Sequence, residues 1–208
     1  MLRVGLTGSI AVGKSYVSAV LAELGCHVLD ADATAREVVA QGTPGLKKIV
    51  ETFGEMVLLA DGTLDRAGLG AIIFADEKQR GLLNSILHPF IIVAQDEQLS
   101  LWESEDPRGV GVIDAALMIE SGGYKRFDKL IVVHCDPEVQ LARLMARNNL
   151  TREEAQSRVA AQMPQAEKMR YADFLIDNSG DLPATRLRTE EVYKELRALG
   201  ELQATGTR

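Results

Sequence analysis

Short apolar runs alternate with helical patterns over most of the chain. The runs that predict strands are residues 2–6, 26–29, 109–113, 129–134 and 174–177. Strands of a parallel sheet covered by helices are nearly continuous apolar runs, because both of their faces are buried. The helical patterns between them cover residues 16–24, a segment from about 33, residues 44–53, a segment from Pro137, and residues 182–199. This alternation predicts an α/β fold with a parallel sheet.

Residues 59–107 break the alternation, because they carry successive helical patterns with no strand between them. The predicted helices run from Asp65 to Phe74, from Asp76 to Leu87 and from Pro89 to Trp102. We interpret the segment as a helical insertion, with Pro89 in the first turn of a helix and His88 at a helix junction. The insertion could supply a phosphoryl-acceptor site in which His88 binds substrate. It could equally be a structural bundle with an ordinary turn histidine.

Composition narrows the class of protein. The 208 residues are 46% hydrophobic, enough for a core, and carry a net charge of −7 with a pI of about 5.1. Lys and Arg form no runs, which argues against general nucleic-acid binding. No apolar stretch approaches the roughly 18 residues of a membrane span, so a cytoplasmic protein is expected. Cys26 and Cys135 are predicted to be buried thiols, and two cysteines with three histidines do not suggest a zinc site.

The segment from Gly8 to Ser15, GSIAVGKS, matches the phosphate-binding loop G-x-x-x-x-G-K-[ST] at every fixed position. Its glycines permit backbone N–H groups to point at a phosphate, and the following helix N-terminus adds a positive dipole end. Lys14 would reach the β- and γ-phosphates, and Ser15 would offer a hydroxyl to Mg²⁺. Chance produces the pattern in roughly 1% of chains of this length, and the strand before it and the helix after it lower that further. The predicted nucleotide site includes Gly8, Ala11, Val12, Gly13, Lys14, Ser15 and Tyr16.

Carboxylates stand at the ends of two predicted strands. Asp30 and Asp32 follow the second strand, and Asp114 ends the third. Ligands of open α/β sheets bind at the carboxyl ends of strands, so all three are candidates for chemistry. Asp114 resembles the carboxylate of a Walker-B strand, which lies near the metal. Asp30 or Asp32 could instead cap the next helix.

A cationic stretch from Arg143 to Arg170 lies within this acidic chain. Arginines on a helix pair after the fourth strand could close over a triphosphate as a lid, which makes Arg143 a candidate nucleotide contact. Thr151 is predicted to start the second helix of the pair with a capping box. For Arg152 and Arg158, a solvated helix face is an equal alternative.

Several motifs together, in order and spacing, resemble the dephospho-CoA kinase family over about residues 2–199. Each motif alone is weak, but the set is specific. The motifs are residues 5–8 (GLTG) leading into the phosphate loop, 30–32 (DAD), 60–62 (ADG), 84–89 (NSILHP), 117–120 (LMIE), Arg147 with its helix through Gln162, and 172–180. Ser9, Ala11 and Val12 stand where the family usually has Gly, Gly and Ser, and Ala116 replaces a common proline.

The resemblance implies a P-loop kinase with a five-stranded parallel sheet, helices on both faces, a helical acceptor-binding insertion and a helical lid. Such an enzyme uses ATP and Mg²⁺ to phosphorylate the ribose 3′-hydroxyl of dephospho-CoA, the final step of coenzyme A biosynthesis. By position, Asp32 is expected beside the acceptor hydroxyl as catalytic base, Arg147 in the lid, and Asn178 with Gly180 in a turn near the adenine.

The expected division has a nucleotide-binding core (1–58, 108–146 and 166–200), an insertion (59–107), a lid (147–165) and a flexible tail (201–208). ATP and dephospho-CoA are the expected partners, with no nucleic acid and no membrane. The sequence does not determine the oligomeric state, and a monomer is compatible with it.

Two alternatives to this function are an enzyme with another substrate and a protein that is not an enzyme. The first is a P-loop kinase for a nucleotide or small sugar acid, against which the DAD motif and the long insertion argue. The second is a nucleotide-dependent binding switch, which would need a guanine-reading Asn-Lys-x-Asp motif or a partner-binding loop ordered by the γ-phosphate. The sequence has no such motif.

Overall fold

Five strands form the sheet of the protein in a computed structural model that describes residues 1–206. The strands are β1 (Leu2–Gly8), β2 (His27–Asp30), β3 (Val110–Asp114), β4 (Lys129–His134) and β5 (Phe174–Asp177). Their order across the sheet is β2-β3-β1-β4-β5. β1 pairs in parallel with β3 and with β4, and β4 pairs in parallel with β5. The predicted α/β fold with a five-stranded parallel sheet is therefore confirmed.

Nine α-helices connect and flank the strands in the described residues. They are α1 (Lys14–Glu23), α2 (Ala31–Glu37), α3 (Pro44–Phe53), α4 (Arg66–Ala75), α5 (Glu77–Glu105), α6 (Pro137–Asn148), α7 (Arg152–Ala160), α8 (Gln165–Lys168) and α9 (Leu182–Gly206). Short 3₁₀ turns lie at Glu55–Val57, Gly123–Arg126 and Met169–Tyr171. None of the helices in this part of the chain combines the length and the apolar character that a membrane crossing requires.

The chain divides into two compact units. The first contains Met1–Leu29 and the chain from Leu101 onward, and the second contains Asp30–Ser100. The core of the first unit joins the sheet to α1 and α9, and includes Leu6, Leu21, Val133, Ile176 and Leu196. The second unit has its own apolar cluster around Ile49, Val57 and Leu69. The second unit thus begins well before residue 59, where the insertion was expected to start, and takes in α2 and α3.

One long helix replaces the two that the sequence predicted around His88. α5 runs unbroken from Glu77 to Glu105 with Pro89 in its interior. Proline inside a helix removes one backbone N–H and costs about 3 kcal/mol. Buried side chains before and after it, such as Leu83 and Leu99, hold the helix on both sides. The predictions that Pro89 lies in a first turn and His88 at a helix junction are wrong.

The last helix also differs from its predicted length. α9 begins at Leu182 as predicted, but it continues past Leu199 to Gly206. Residues 201–206 of the predicted flexible tail are therefore helical, while residues 207 and 208 lie outside the described residues. The continued helix reflects good helix formers at the end of the chain, including Glu201, Leu202 and Gln203.

Candidate active site

The phosphate loop joins β1 to α1 in the first unit, and both of its fixed glycines are required by packing. A Cβ added at Gly8 would lie 2.6 Å from the carbonyl oxygen of Val133 on β4. Gly13 has φ +88°, and an added Cβ would overlap the side-chain amide of Asn178. α1 then starts at Lys14 without a side-chain cap, and the N-terminus of a helix favours a bound anion.

Lys14 and Asp114 form an ion pair in which Lys14 Nζ donates to Asp114 Oδ1. Sheet order explains the contact, because β1 and β3 are neighbours and Leu6 is in register with Asp114. The end of β3 therefore lies beside the loop that follows β1. Only 19% of the Lys14 side chain and 8% of the Asp114 side chain are exposed. The phosphate-loop cation and the Walker-B-like carboxylate share one partly buried site.

The oxygen donors at this site fit Mg²⁺ rather than a metal held by protein alone. Among the described residues, no cluster of three His, Cys, Asp or Glu side chains could hold a metal ion. Mg²⁺ keeps several waters and is usually bound by one or two protein oxygens together with substrate phosphates. The hydroxyl of Ser15, exposed at the start of α1, and the carboxylate of Asp114 are donors of this kind.

The turn after β5 is hydrogen-bonded to the phosphate loop. Asn178 is buried, and its Nδ2 donates to the Val12 carbonyl at 2.8 Å. Its Oδ1 accepts from Thr185 Oγ1 at 2.8 Å, which fixes the orientation of the amide. Its backbone carbonyl accepts from Arg143 Nη1 at 2.8 Å. Three residues predicted for nucleotide binding, Val12, Arg143 and Asn178, are thus joined directly.

Two other residues predicted for the nucleotide site are Gly180, in this turn, and the half-buried Tyr16 on α1. Gly180 is exposed, and a Cβ there would meet no atom within 4 Å. The hydroxyl of Tyr16 donates to the Leu182 carbonyl at 3.2 Å. Tyr16 therefore ties the first turn of α1 to the first turn of α9.

The arginines of the predicted lid have different surroundings. Arg147 is exposed at the end of α6, where its Nε donates to Asn148 Oδ1 at 2.9 Å. Arg152 Nη2 donates to both carboxylate oxygens of Glu138, at 2.7 and 2.9 Å, on the surface. This bond lowers the pKa of Glu138 and matches the solvated alternative for Arg152. The capping box predicted at Thr151 is confirmed.

The three loop residues that depart from the family pattern are accommodated in different ways. Val12 is fully buried in the core. Ala11 has φ +61°, a left-handed conformation that is uncommon for a residue with a Cβ. Ser9 is buried, and its hydroxyl has no hydrogen-bond partner among the described residues, which costs about 1–3 kcal/mol. Glycine at positions 9 and 11 would avoid both costs.

Asp30, Asp32 and His88 lie in the second unit. Asp30 caps α2, with its Oδ1 accepting from the Asp32 backbone N–H at 2.8 Å. The Asp30 carbonyl also accepts from Thr34 Oγ1 at 3.1 Å. The cap alternative therefore applies to Asp30, while Asp32 is an exposed residue in the first turn of α2. His88 is exposed on α5.

Sequence reasoning missed a set of polar residues that do not belong to the predicted site but make hydrogen bonds to the segments that form it. Gln140, Gln162 and Gln165 make hydrogen bonds around the phosphate loop. Lys168 was counted only as part of the cationic stretch, but its side chain is fully buried. Lysine is almost never fully buried unless it is paired, so its residue type alone predicts an exposed side chain.

Known proteins resemble this chain in both sequence and fold. The family model described as dephospho-CoA kinase matches residues 2–184. The dephospho-CoA kinase of Geobacillus kaustophilus is 44% identical over 201 residues, covering 95% of this chain and 98% of that protein. That of Listeria monocytogenes is 48% identical over 185 residues, covering 88% and 91%.

Solved structures agree with these relatives. The dephospho-CoA kinase of Campylobacter jejuni superposes with a TM-score of 0.72 at 29% identity, covering 94% of this chain and 97% of that one. A shikimate kinase of Acinetobacter baumannii, with a TM-score of 0.52 at 17% identity and coverage of 95% and 94%, shares the fold alone.

Proposed function

The chain belongs to the dephospho-CoA kinase family, and on this premise we propose which of its residues perform the reaction. Dephospho-CoA kinases use ATP to phosphorylate the ribose 3′-hydroxyl of dephospho-CoA, the final step of coenzyme A biosynthesis. The observation that carries the assignment is the partly buried pair of Lys14 and Asp114 at the phosphate loop. The expected cytoplasmic location belongs to the same proposal.

In the proposed mechanism, the first unit binds the triphosphate. Backbone N–H groups of the loop and the first turn of α1 hold the phosphates, and Lys14 stabilises the negative charge that accumulates on them. Ser15 and Asp114 would hold Mg²⁺. The ion would supply positive charge that offsets the negative charge of the phosphates. Phosphoryl transfer needs little covalent participation by protein, so positioning and electrostatics carry most of the catalysis.

The remaining assignments concern the two ends of the substrates. Asn178, Gly180 and Tyr16 would hold the nucleoside end of ATP, beside Arg143. Arg147, which is exposed in the lid segment 147–165, would contact the transferring phosphoryl group. Asp32 would orient the 3′-hydroxyl and accept its proton late in transfer, while His88 and the helical segment 59–107 would bind the acceptor.

The test is a coupled assay of ADP release with a panel of acceptors. We expect strong preference for dephospho-CoA over adenosine and shikimate, because binding of the pantetheine arm helps to align the ribose. Adenosine should lose kcat as well as affinity. Equal turnover of adenosine and dephospho-CoA would contradict the proposal. Chelation of divalent cations should abolish turnover, and added Mg²⁺ should restore it.

A further inference from the structure

Three glutamine side chains and the backbone of the phosphate loop form a continuous chain of hydrogen bonds. The Cys135 N–H, just after β4, donates to Gln165 Oε1 at 3.1 Å. Gln165 Nε2 donates to Gln140 Oε1 at 2.8 Å. Gln140 Nε2 then donates to the Ile10 carbonyl at 2.8 Å. Finally, the Ile10 N–H donates to Gln162 Oε1 at 2.8 Å.

All of these bonds run in one direction, which fixes the orientation of each amide. Gln140 and Gln165 each donate through nitrogen and accept through oxygen, so reversing one amide would break two bonds at once. Gln140 is only 2% exposed, and hydrogen bonds in such surroundings are stronger than in water. Both backbone groups of Ile10 are thereby held by side chains from outside the loop.

Apolar packing holds the same part of the loop. Ile10 and Ala11 pack against a cluster formed by Leu141 and Leu144 of α6 and Ala155 of α7. A non-glycine residue at φ +61° persists only where its surroundings over-determine the backbone. Here the backbone of Ala11 is constrained in two ways. The glutamine hydrogen bonds hold the neighbouring residue Ile10, and α6 and α7 pack against the Ala11 side chain.

We propose that Gln162 is a positioning residue for phosphoryl transfer. It would act through the Ile10 N–H, linking the shape of the phosphate loop to the segment that joins α7 to α8. Residues 162–165 are the last residues of the predicted lid. The bond from Ile10 to Gln162 would therefore make the shape of the phosphate loop depend on the position of the lid. The inference rests on the proposed role of the loop as the ATP site. Small misplacements of reacting groups cost up to about 10²-fold in rate, so the effect should appear in kcat.

The test compares Gln162→Met with Gln156→Met in the ADP-release assay at saturating ATP and dephospho-CoA. Methionine keeps the length of the side chain and removes the oxygen acceptor. Gln156 is exposed on α7, which makes it a matched control. We expect Gln162→Met to lose about tenfold or more in kcat with little change in melting temperature. Gln156→Met should match the parent.

Two further variants separate positioning from a structural effect. Gln162→Glu keeps an oxygen acceptor for the Ile10 N–H and should recover most of kcat. Gln140→Met interrupts the chain on the other side of Ile10. Because both side chains act through one residue, the double variant Gln140→Met/Gln162→Met should lose less than the product of the single losses.

Several results would overturn the inference. The first is a kcat of Gln162→Met within about twofold of the parent. The second is an equal loss of kcat in Gln156→Met. The third is a loss of kcat in the double variant that equals the product of the two single losses. If Gln162→Met does not fold, a folded Gln162→Glu variant that has lost its kcat would also overturn it. Failure of the proposed function looks different, because the parent itself would then not phosphorylate dephospho-CoA.

Discussion

Lys168 Nζ lies 2.8 Å from Glu120 Oε1, with the lysine side chain completely buried and the glutamate side chain 24% exposed. The same Nζ donates to the Ala116 carbonyl at 3.0 Å, and that carbonyl also accepts from Thr7 Oγ1 at 3.1 Å. The ion pair and these two hydrogen bonds together fasten the segment after Asp114 to α8 and to β1.

The two partners of this ion pair should differ in their contribution to stability. Glu120→Gln leaves a buried ammonium group without its counter-charge, which costs about 3 kcal/mol. Lys168→Met removes the buried charge and leaves Glu120 able to reach water, so its loss should be smaller. Urea unfolding of both variants measures the free energies. A larger loss for Lys168→Met would contradict the prediction.

Removal of the phosphate-loop cation should slow catalysis strongly without unfolding the protein. Lys14→Ala is expected to lower kcat by roughly 10²–10³, because it removes charge stabilisation where negative charge accumulates. Asp114→Asn keeps the side-chain shape and should raise the Mg²⁺ concentration needed for half-maximal activity. Steady-state kinetics over a range of Mg²⁺ concentrations measure both effects. Parent-like turnover by Lys14→Ala would rule out the assignment.

Asp30 and Asp32 should separate into a structural and a catalytic residue. Asp32→Asn should bind ATP normally but lose roughly 10²–10⁴ in kcat, the usual contribution of a base. Asp30→Ala should cost about 1 kcal/mol of stability, because it removes the cap of α2, and should affect kcat less. The measurements are kcat, ATP affinity and melting temperature. A larger kcat loss in the Asp30 variant would reverse the roles.

Arg143 and Arg147 lie one helical turn apart on α6, yet their substitutions should have different effects. Arg143→Ala breaks the bond to the Asn178 carbonyl, so it should raise the KM for ATP and lower the melting temperature. Arg147→Ala removes an exposed charge and should leave the melting temperature unchanged while kcat falls about tenfold or more. If kcat and KM of Arg147→Ala equal those of the parent, Arg147 is only a surface residue.

Alkaline pH should destabilise the protein through Cys26. Burial raises the pKa of this thiol from 9.0 to about 12. Between these values the unfolded chain loses the proton and the folded protein retains it, so stability falls as pH rises from about 9 towards about 12, by up to about 1.4 kcal/mol per pH unit. Cys26→Val removes this contribution. Urea unfolding at several pH values should give a steeper decline for the parent, and parallel curves would contradict the prediction.

The sequence predicted those features that local patterns encode. Uninterrupted apolar runs gave the strands, and the fixed spacing of Gly8, Gly13 and Lys14 gave the phosphate loop. The long helix α5 was not predictable, because a proline such as Pro89 usually marks a helix boundary. In the structure, tertiary packing offsets the cost of this proline inside the helix. The bonds of Gln140 and Gln162 to Ile10 join residues 130 and 152 positions apart and leave no local signature.

The bond from Asn178 to the Val12 carbonyl spans 166 positions of sequence. On the ribosome, the phosphate-loop motif therefore emerges well before the side chain that completes its geometry. An incomplete nascent chain would contain the whole motif and still lack the partner that shapes it. Bound nucleotide would then stabilise chains that extend beyond β5 more than chains that end before it during synthesis.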